Sequence, residues 1–150
     1  MCIRDRCVTY GYPPALHVFG VTHGWAVAAL GDPDSGTEEV REHADAFFAI
    51  GALYLRPFYQ AVHADACLMG GHVDEAHRSI DDGLSVAAET GEAWFDAELH
   101  RLRGEALAVV DPCDPMAIAS VRRAVEVAAA QGSEGLRARA ESSLARLAAR

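Results

Sequence analysis

The chain contains no lysine and no asparagine in 150 residues, and all thirteen of its cations are arginine. Without lysine there is no Walker-type phosphate loop, no Schiff-base nucleophile and no Ser-Lys pair. The thirteen arginines are outnumbered by twenty-two carboxylates, giving a net charge of -9. No cationic excess is left to neutralise phosphates, so direct nucleic-acid binding is not expected. No apolar run approaches the roughly 18 residues of a membrane span, and the start lacks a basic-then-apolar leader. A cytoplasmic protein without a membrane partner is the expectation. The cysteines at 2, 7, 67 and 113 contain no CxxC pair, so neither a zinc motif nor a disulfide framework is indicated and reduced thiols are expected. What the chain does have is a 51% hydrophobic composition with 23% charged residues, enough to bury a core and exclude disorder or a collagen-like fibre.

Glycine marks an internal period. Gly11, Gly51, Gly91 and Gly132 are spaced by 40, 40 and 41 residues, the last three closing apolar runs such as Phe47 to Ile50 and Ala87 to Thr90. Glycine after such a run is a helix C-cap, where a positive φ carries no Cβ penalty. The same offset aligns small residues at Gly24, Ala64 and Gly104, with Ala145 one residue later. It also aligns Gly31, Gly71 and Asp111 at a turn, then Gly36, Ala76 and Ala117, then the large apolar Val40, Ile80 and Val121.

Between the markers the pattern is helical. Val73, Ala76, Ile80, Leu84 and Ala87 step by three or four with charges on the other side, as do Phe95, Leu99, Leu102, Ala106 and Val109. No stretch alternates like a strand. Pro13, Pro14 and Pro57 suit first helical turns, Pro112 and Pro115 the loop before the sixth helix, and Asp34 with Ser35 can cap the second. The reading is all-α, with helices near 14–30, 35–50, 55–70, 73–90, 93–109, 115–131 and 134–149. Short connections make neighbours antiparallel, and stacked hairpins supply the surface that one hairpin lacks. Residues 11–150 then form one solenoid, with repeats near 11–50, 51–90 and 91–131 and a terminal helix at 132–150.

The order of small and large columns resembles the tetratricopeptide repeat, although the period is 40 and not 34, and the closing proline is missing. Residues 1–6 resemble translated adapter sequence, so residues 1–10 are expected to be an artefactual or disordered start and the chain a fragment. Over residues 56 to 149, the strings Arg56-Pro57-Phe58-Tyr59, Thr90-Gly91-Glu92-Ala93-Trp94 and Ala97-Glu98-Leu99-His100-Arg101-Leu102-Arg103-Gly104-Glu105 resemble the C-terminal helical region of large bacterial signalling ATPases. Those carry class III adenylate/guanylate cyclase or transcriptional-regulator domains. The resemblance implies a non-catalytic interaction and regulatory arm, with any nucleotide chemistry elsewhere in the parent; a free-standing helical scaffold is the alternative, and a small His- or metal-dependent enzyme a remote one.

Candidate chemistry is sparse. His63 and Cys67 share a helix face, with His72 and His77 after the turn, but convergence is unforced and neither metal nor cofactor is expected. Adjacent carboxylates such as Glu38 and Glu39, Asp74 and Glu75, or Asp81 and Asp82 point about 100° apart and read as solvated faces. His100 with Glu98 or Glu105 could form a base and its orienter, yet no nucleophile recurs beside them. The partner is expected to be a protein or peptide segment, the parent's own ATPase module included. Arg56, Tyr59, Trp94 and Arg101 are the candidate groove residues, being aromatic and arginine anchors near the A-helix beginnings. Of each adjacent aromatic pair one must face the core.

Overall fold

The computed structural model describes residues 6, 7, 9–52 and 54–149. Its regular structure is all helical, with seven α-helices of 14 to 18 residues among the described residues. These are α1 (Pro13–Ala29), α2 (Pro33–Ala49), α3 (Arg56–Met69), α4 (Val73–Thr90), α5 (Asp96–Val110), α6 (Pro115–Ala130) and α7 (Glu134–Ala148). A 3-10 turn at Ala93–Phe95 leads into α5.

Proline opens four of the helices within their first two residues, where its missing N–H has no partner to lose. That is why α2 begins at Pro33 and is capped by Asp32, whose Oδ1 accepts from the Ser35 N–H at 3.2 Å, and not by Asp34 or Ser35. Pro115 is likewise the first residue of α6, not part of its preceding loop, and Asp114 caps it through the Met116 N–H at 2.8 Å. Among the closing glycines, Gly51, Gly91 and Gly132 have φ of +83°, +76° and +65°. Asp111 stands where Gly31 and Gly71 turn, and its extended φ of -136° gives that connection a different path.

Helix packing follows a simple rule. Each helix touches its neighbours in the chain, most extensively in the pairs α1 with α2, α3 with α4 and α5 with α6. The odd-numbered helices also touch one another in order, α1 to α3 to α5 to α7. Small residues make the closest crossings possible. A Cβ on Gly36 would lie 2.4 Å from the Ala28 nitrogen and 2.5 Å from the Gly24 carbonyl oxygen, and one on Gly104 would lie 2.6 Å from the Ala117 oxygen. Val40, Ile80 and Val121 fill the space beside these crossings and are fully buried. The small residue of the last column, Ala145, is exposed.

Three clusters of buried apolar side chains succeed one another. Val21, Val40, Phe47 and Tyr59 form the first. Ala61, Ala64, Cys67, Ala76, Ile80, Leu99, Leu102 and Ala106 form the second, and Ala108, Ala117, Val121 and Leu147 the third. Val109, which the helical spacing aligns with the core of α5, is exposed.

Residues 1–5 of the expected disordered start, Cys2 included, lie outside the described residues. Arg6, Cys7 and Thr9 are helical, and Cys7 is buried. Cys7, Cys67 and Cys113 are free thiols. Among the described residues no helix is long and apolar enough to cross a membrane.

Candidate functional site

A groove of about 220 Å³ is lined by ten residues, all of them from the odd-numbered helices or the 3-10 turn leading into α5. Thr22 and Trp25 come from α1, Phe58, Ala61, Val62 and Asp65 from α3, Phe95 from the 3-10 turn, Glu98 from the start of α5, and Leu136 and Arg139 from α7. Apart from the adjacent Ala61 and Val62, positions within each helix differ by three, four or seven, so each contributes one face. The floor is apolar, formed by Trp25, Phe58, Val62, Phe95 and Leu136, and each of the four helices adds one polar group, Thr22, Asp65, Glu98 or Arg139.

Asp65, Glu98 and Arg139 belong to a continuous thread across four helices. The Trp25 indole N–H donates to Asp65 Oδ2 at 2.9 Å. Asp65 Oδ1 lies 3.5 Å from the Arg101 guanidinium. Arg101 donates to both oxygens of Glu98, at 3.0 and 2.8 Å, and Arg139 donates to Glu98 Oε1 at 2.6 Å. Arg101 also reaches Ser143 Oγ at 3.4 Å and Glu105 at 3.6 Å, and Arg146 pairs with Glu105. Arg101 and Glu98 are buried, a placement tolerable only because each charge meets an opposite one. Arg101, Arg139 and Arg146 line a further cavity of about 390 Å³ with Ala138, Ser142 and Ser143. The apolar floor thus passes into an arginine-rich end.

The four residues marked for a groove are scattered by the fold. Arg101 sits in the thread behind the groove floor. Tyr59 is 1% exposed and packs among Phe47, Phe48 and Phe58, with ring centroids 5.0 to 5.7 Å away. Desolvation raises its phenol pKa, and its hydroxyl lacks a hydrogen-bond partner among the described residues. Its neighbour Phe58 faces the groove, so the two exchange the roles assigned to them. Arg56 points to the other side of α3, where it pairs with Asp82 at 3.2 Å and lies over the Phe48 ring. Trp94 stacks on Phe58 at 5.8 Å with its outer surface exposed, which is packing between successive helical pairs.

The remaining candidates resolve similarly. Glu38 pairs with Arg41 and Glu39 with His23, Asp81 with Arg103 and Asp82 with Arg56. Each adjacent pair therefore diverges, as helical geometry requires. Glu98 and Glu105 are held by arginines, and His100 has a lowered pKa from burial and then from Arg103 and Arg123. His63, Cys67 and Glu75 come together across the α3–α4 turn, with one ligand atom of each within 4.8 Å of the others. Another cavity, of about 220 Å³, has His63 and Ser79 in its wall beside Arg41, Asp45 and Gln60. Burial lowers the His63 pKa and pushes the Cys67 thiol up to about 12.

An uncharacterized protein of Rhizobium meliloti (strain 1021) is 31% identical to this chain over 124 residues, which is 83% of the chain and 12% of the relative. The chain therefore spans only about 12% of the length of the curated relative it matches. No family model and no solved structure matches it.

Proposed function

We propose that the chain is a tetratricopeptide-like, non-catalytic interaction region of a larger bacterial signalling ATPase of the adenylate-cyclase or transcriptional-regulator type. It would act in the cytoplasm, and its groove would receive a helical protein segment. The observation that carries this reading is the origin of the groove in the odd-numbered helices and the turn that leads into α5, with no residue from an even-numbered helix. That is what a stack of hairpins produces when the first helix of each lines the concave side. Partner positions support antiparallel hairpins: Gly20 meets His43, Gly24 meets Val40 and Ala28 meets Gly36, one number rising as the other falls. The Rhizobium meliloti match supports a segment of a longer chain, since a similar stretch occupies 12% of that protein.

An amphipathic helix suits the groove best. Its apolar stripe would cover Trp25, Val62 and Leu136, and acidic residues at one end would meet Arg139 and Arg146. Occupancy would bias the neighbouring module only insofar as the segment binds one of that module's states more tightly.

The chain has two tryptophans, so Trp94→Phe leaves Trp25 as the reporter of the groove. Peptides tiled from the rest of the full-length parent are titrated against this variant. An amphipathic peptide should shift the Trp25 emission, and Val62→Glu should abolish the shift while far-UV helicity stays intact. If no segment of the parent perturbs Trp25, the reading fails.

A further inference from the structure

We propose that His63 Nε2, Cys67 Sγ and a carboxylate oxygen of Glu75 form a binding site for one borderline-soft divalent cation, zinc by preference. The site lies between α3 and α4, on the side of α3 away from the groove, and is independent of what the groove binds.

The spacing fits. His63 Nε2 lies 3.7 Å from Glu75 Oε1 and 3.9 Å from Cys67 Sγ. A tetrahedral zinc with bonds of about 2.0–2.3 Å has ligand-to-ligand edges of roughly 3.3–3.6 Å. The third pair, Cys67 Sγ and a Glu75 oxygen, lies within 4.8 Å, so closing the site takes a few tenths of an ångström on two edges and up to about 1.2 Å on the third, which a turn of the half-exposed Glu75 side chain supplies. His63 and Cys67 are one helical turn apart on α3, so the backbone already presents them together. Val73 opens α4 just after a tight turn, which brings Glu75 to the same place from the facing helix.

A hydrogen bond to α4 engages one ring nitrogen of the histidine and leaves the other for a metal. Its Nδ1 is 2.8 Å from Ser79 Oγ on α4. With Nδ1–H donating to that hydroxyl, Nε2 is left as the ligand nitrogen, 3.7 Å from Glu75 Oε1. Cys67 Sγ, 3.7 Å from Nδ1 and 3.9 Å from Nε2, lies beside the ring, so a turn of the Cys67 side chain or of the imidazole brings it toward a metal on Nε2. Metal-binding histidines use their second nitrogen in this way.

Charge balance favours a divalent ion. Cys67 is fully buried and His63 nearly so, whereas Glu75 is half-buried. Binding forms a metal–sulfur bond and releases the thiol proton to water. One thiolate and one carboxylate then neutralise the two positive charges, leaving a neutral centre in the core. Arg41 and Arg78 flank the site and disfavour a bare cation, while Asp45 offsets them. The half-exposed Glu75 side leaves a fourth position for water. The mixed S, N and O donor set selects zinc and cobalt over magnesium or calcium.

Cobalt(II) is titrated into the full chain at neutral pH, alongside a variant with Cys2, Cys7 and Cys113 all changed to Ser. One equivalent should produce a thiolate-to-cobalt charge-transfer band and the intense visible bands of a tetrahedral ion in both proteins, and zinc should displace them. Cys67→Ala should remove the charge-transfer band. Because Cys67→Ala could disturb the core, the half-exposed Glu75→Gln provides a second arm and should weaken binding with the fold intact. Ser79→Ala should lower affinity by about 10–100-fold. The proposal is overturned if the folded chain gives no charge-transfer band at one equivalent. It is equally overturned if the band survives Cys67→Ala, is lost in the triple serine variant, or keeps its full affinity in Glu75→Gln.

Discussion

Replacing Arg101 by Met keeps much of the side-chain volume and removes the charge at the centre of the thread together with its hydrogen bonds to Glu98, Asp65 and Ser143. Arg101 is 7% exposed, so solvent screens its interactions weakly. Breaking a buried ion pair by deleting one partner typically costs about 3–5 kcal/mol, because the other charge is left behind. Here the loss is cushioned. Glu98 keeps Arg139 at 2.6 Å, Glu105 keeps Arg146, and Asp65 keeps the Trp25 indole. A cost of about 3 kcal/mol is therefore expected, at the lower end of the range. Urea denaturation should show a lower midpoint with an unchanged slope. Removing both charges, as Arg101→Met with Glu98→Met, should cost at least about 1 kcal/mol less than the sum of the single changes, because contacting residues couple. Additivity within about 0.5 kcal/mol would mean that the two side chains do not act on each other, and the thread would not be an energetic unit.

Glycine-to-alanine changes should have opposite signs at two helical positions. Gly36→Ala gains helix propensity of about 1 kcal/mol, but its Cβ meets backbone at 2.4 Å, so net destabilisation of about 2 kcal/mol is expected by chemical denaturation. Gly135→Ala meets nothing within 4 Å and should stabilise by about 0.5–1 kcal/mol in the same assay. Leu55 has a φ of +66° and its N–H donates to Glu92 Oε1 at 2.7 Å. Glu92→Ala should consequently cost about 1.5–3 kcal/mol, seen as a lower melting temperature. Burial lowers the pKa of His17, His63 and His100 from the ordinary 6.5. The unfolded chain then binds more protons, so these groups contribute stability that is present above pH 6.5 and lost as pH falls below it. The denaturation midpoint should drop between pH 7 and 5.5, and a rise would contradict the assignment.

Helix existence was readable because the glycine and alanine columns mark places where backbones nearly touch, and size is visible in a sequence. Gly24, Gly36 and Gly104 have so little room around them that almost nothing else fits. The groove was less readable for a related reason. Helix α1 is packed against α2 on one side and α3 on another while also facing the groove, so it carries apolar residues nearly all round and shows no single stripe. The assignment of Phe58 and Tyr59 turned on helix phase alone. Two adjacent aromatics differ by about 100° around the axis, and nothing in their chemistry says which faces Phe47. His63, Cys67 and Glu75 needed the geometry of a tight turn, which periodicity does not contain. The ladder from Trp25 to Arg139 combines positions up to 114 apart, and its traceable hints are that Trp25 and Asp65 share the forty-residue offset and Glu98 and Arg139 the forty-one-residue offset of the last repeat.

The division of the core into three successive clusters has a consequence for how the molecule comes apart. Within the described residues the central cluster has a neighbouring cluster on each side, whereas each outer one has a neighbouring cluster on one side. Amide protons of α3 to α5 should accordingly exchange slowest, with protection declining toward α1 and α7 in steps the size of one helical pair. Loss of protection would begin at the extremities, so the apolar groove floor contributed by Trp25 and Leu136 would open from its two ends before the segment around Phe58 yields.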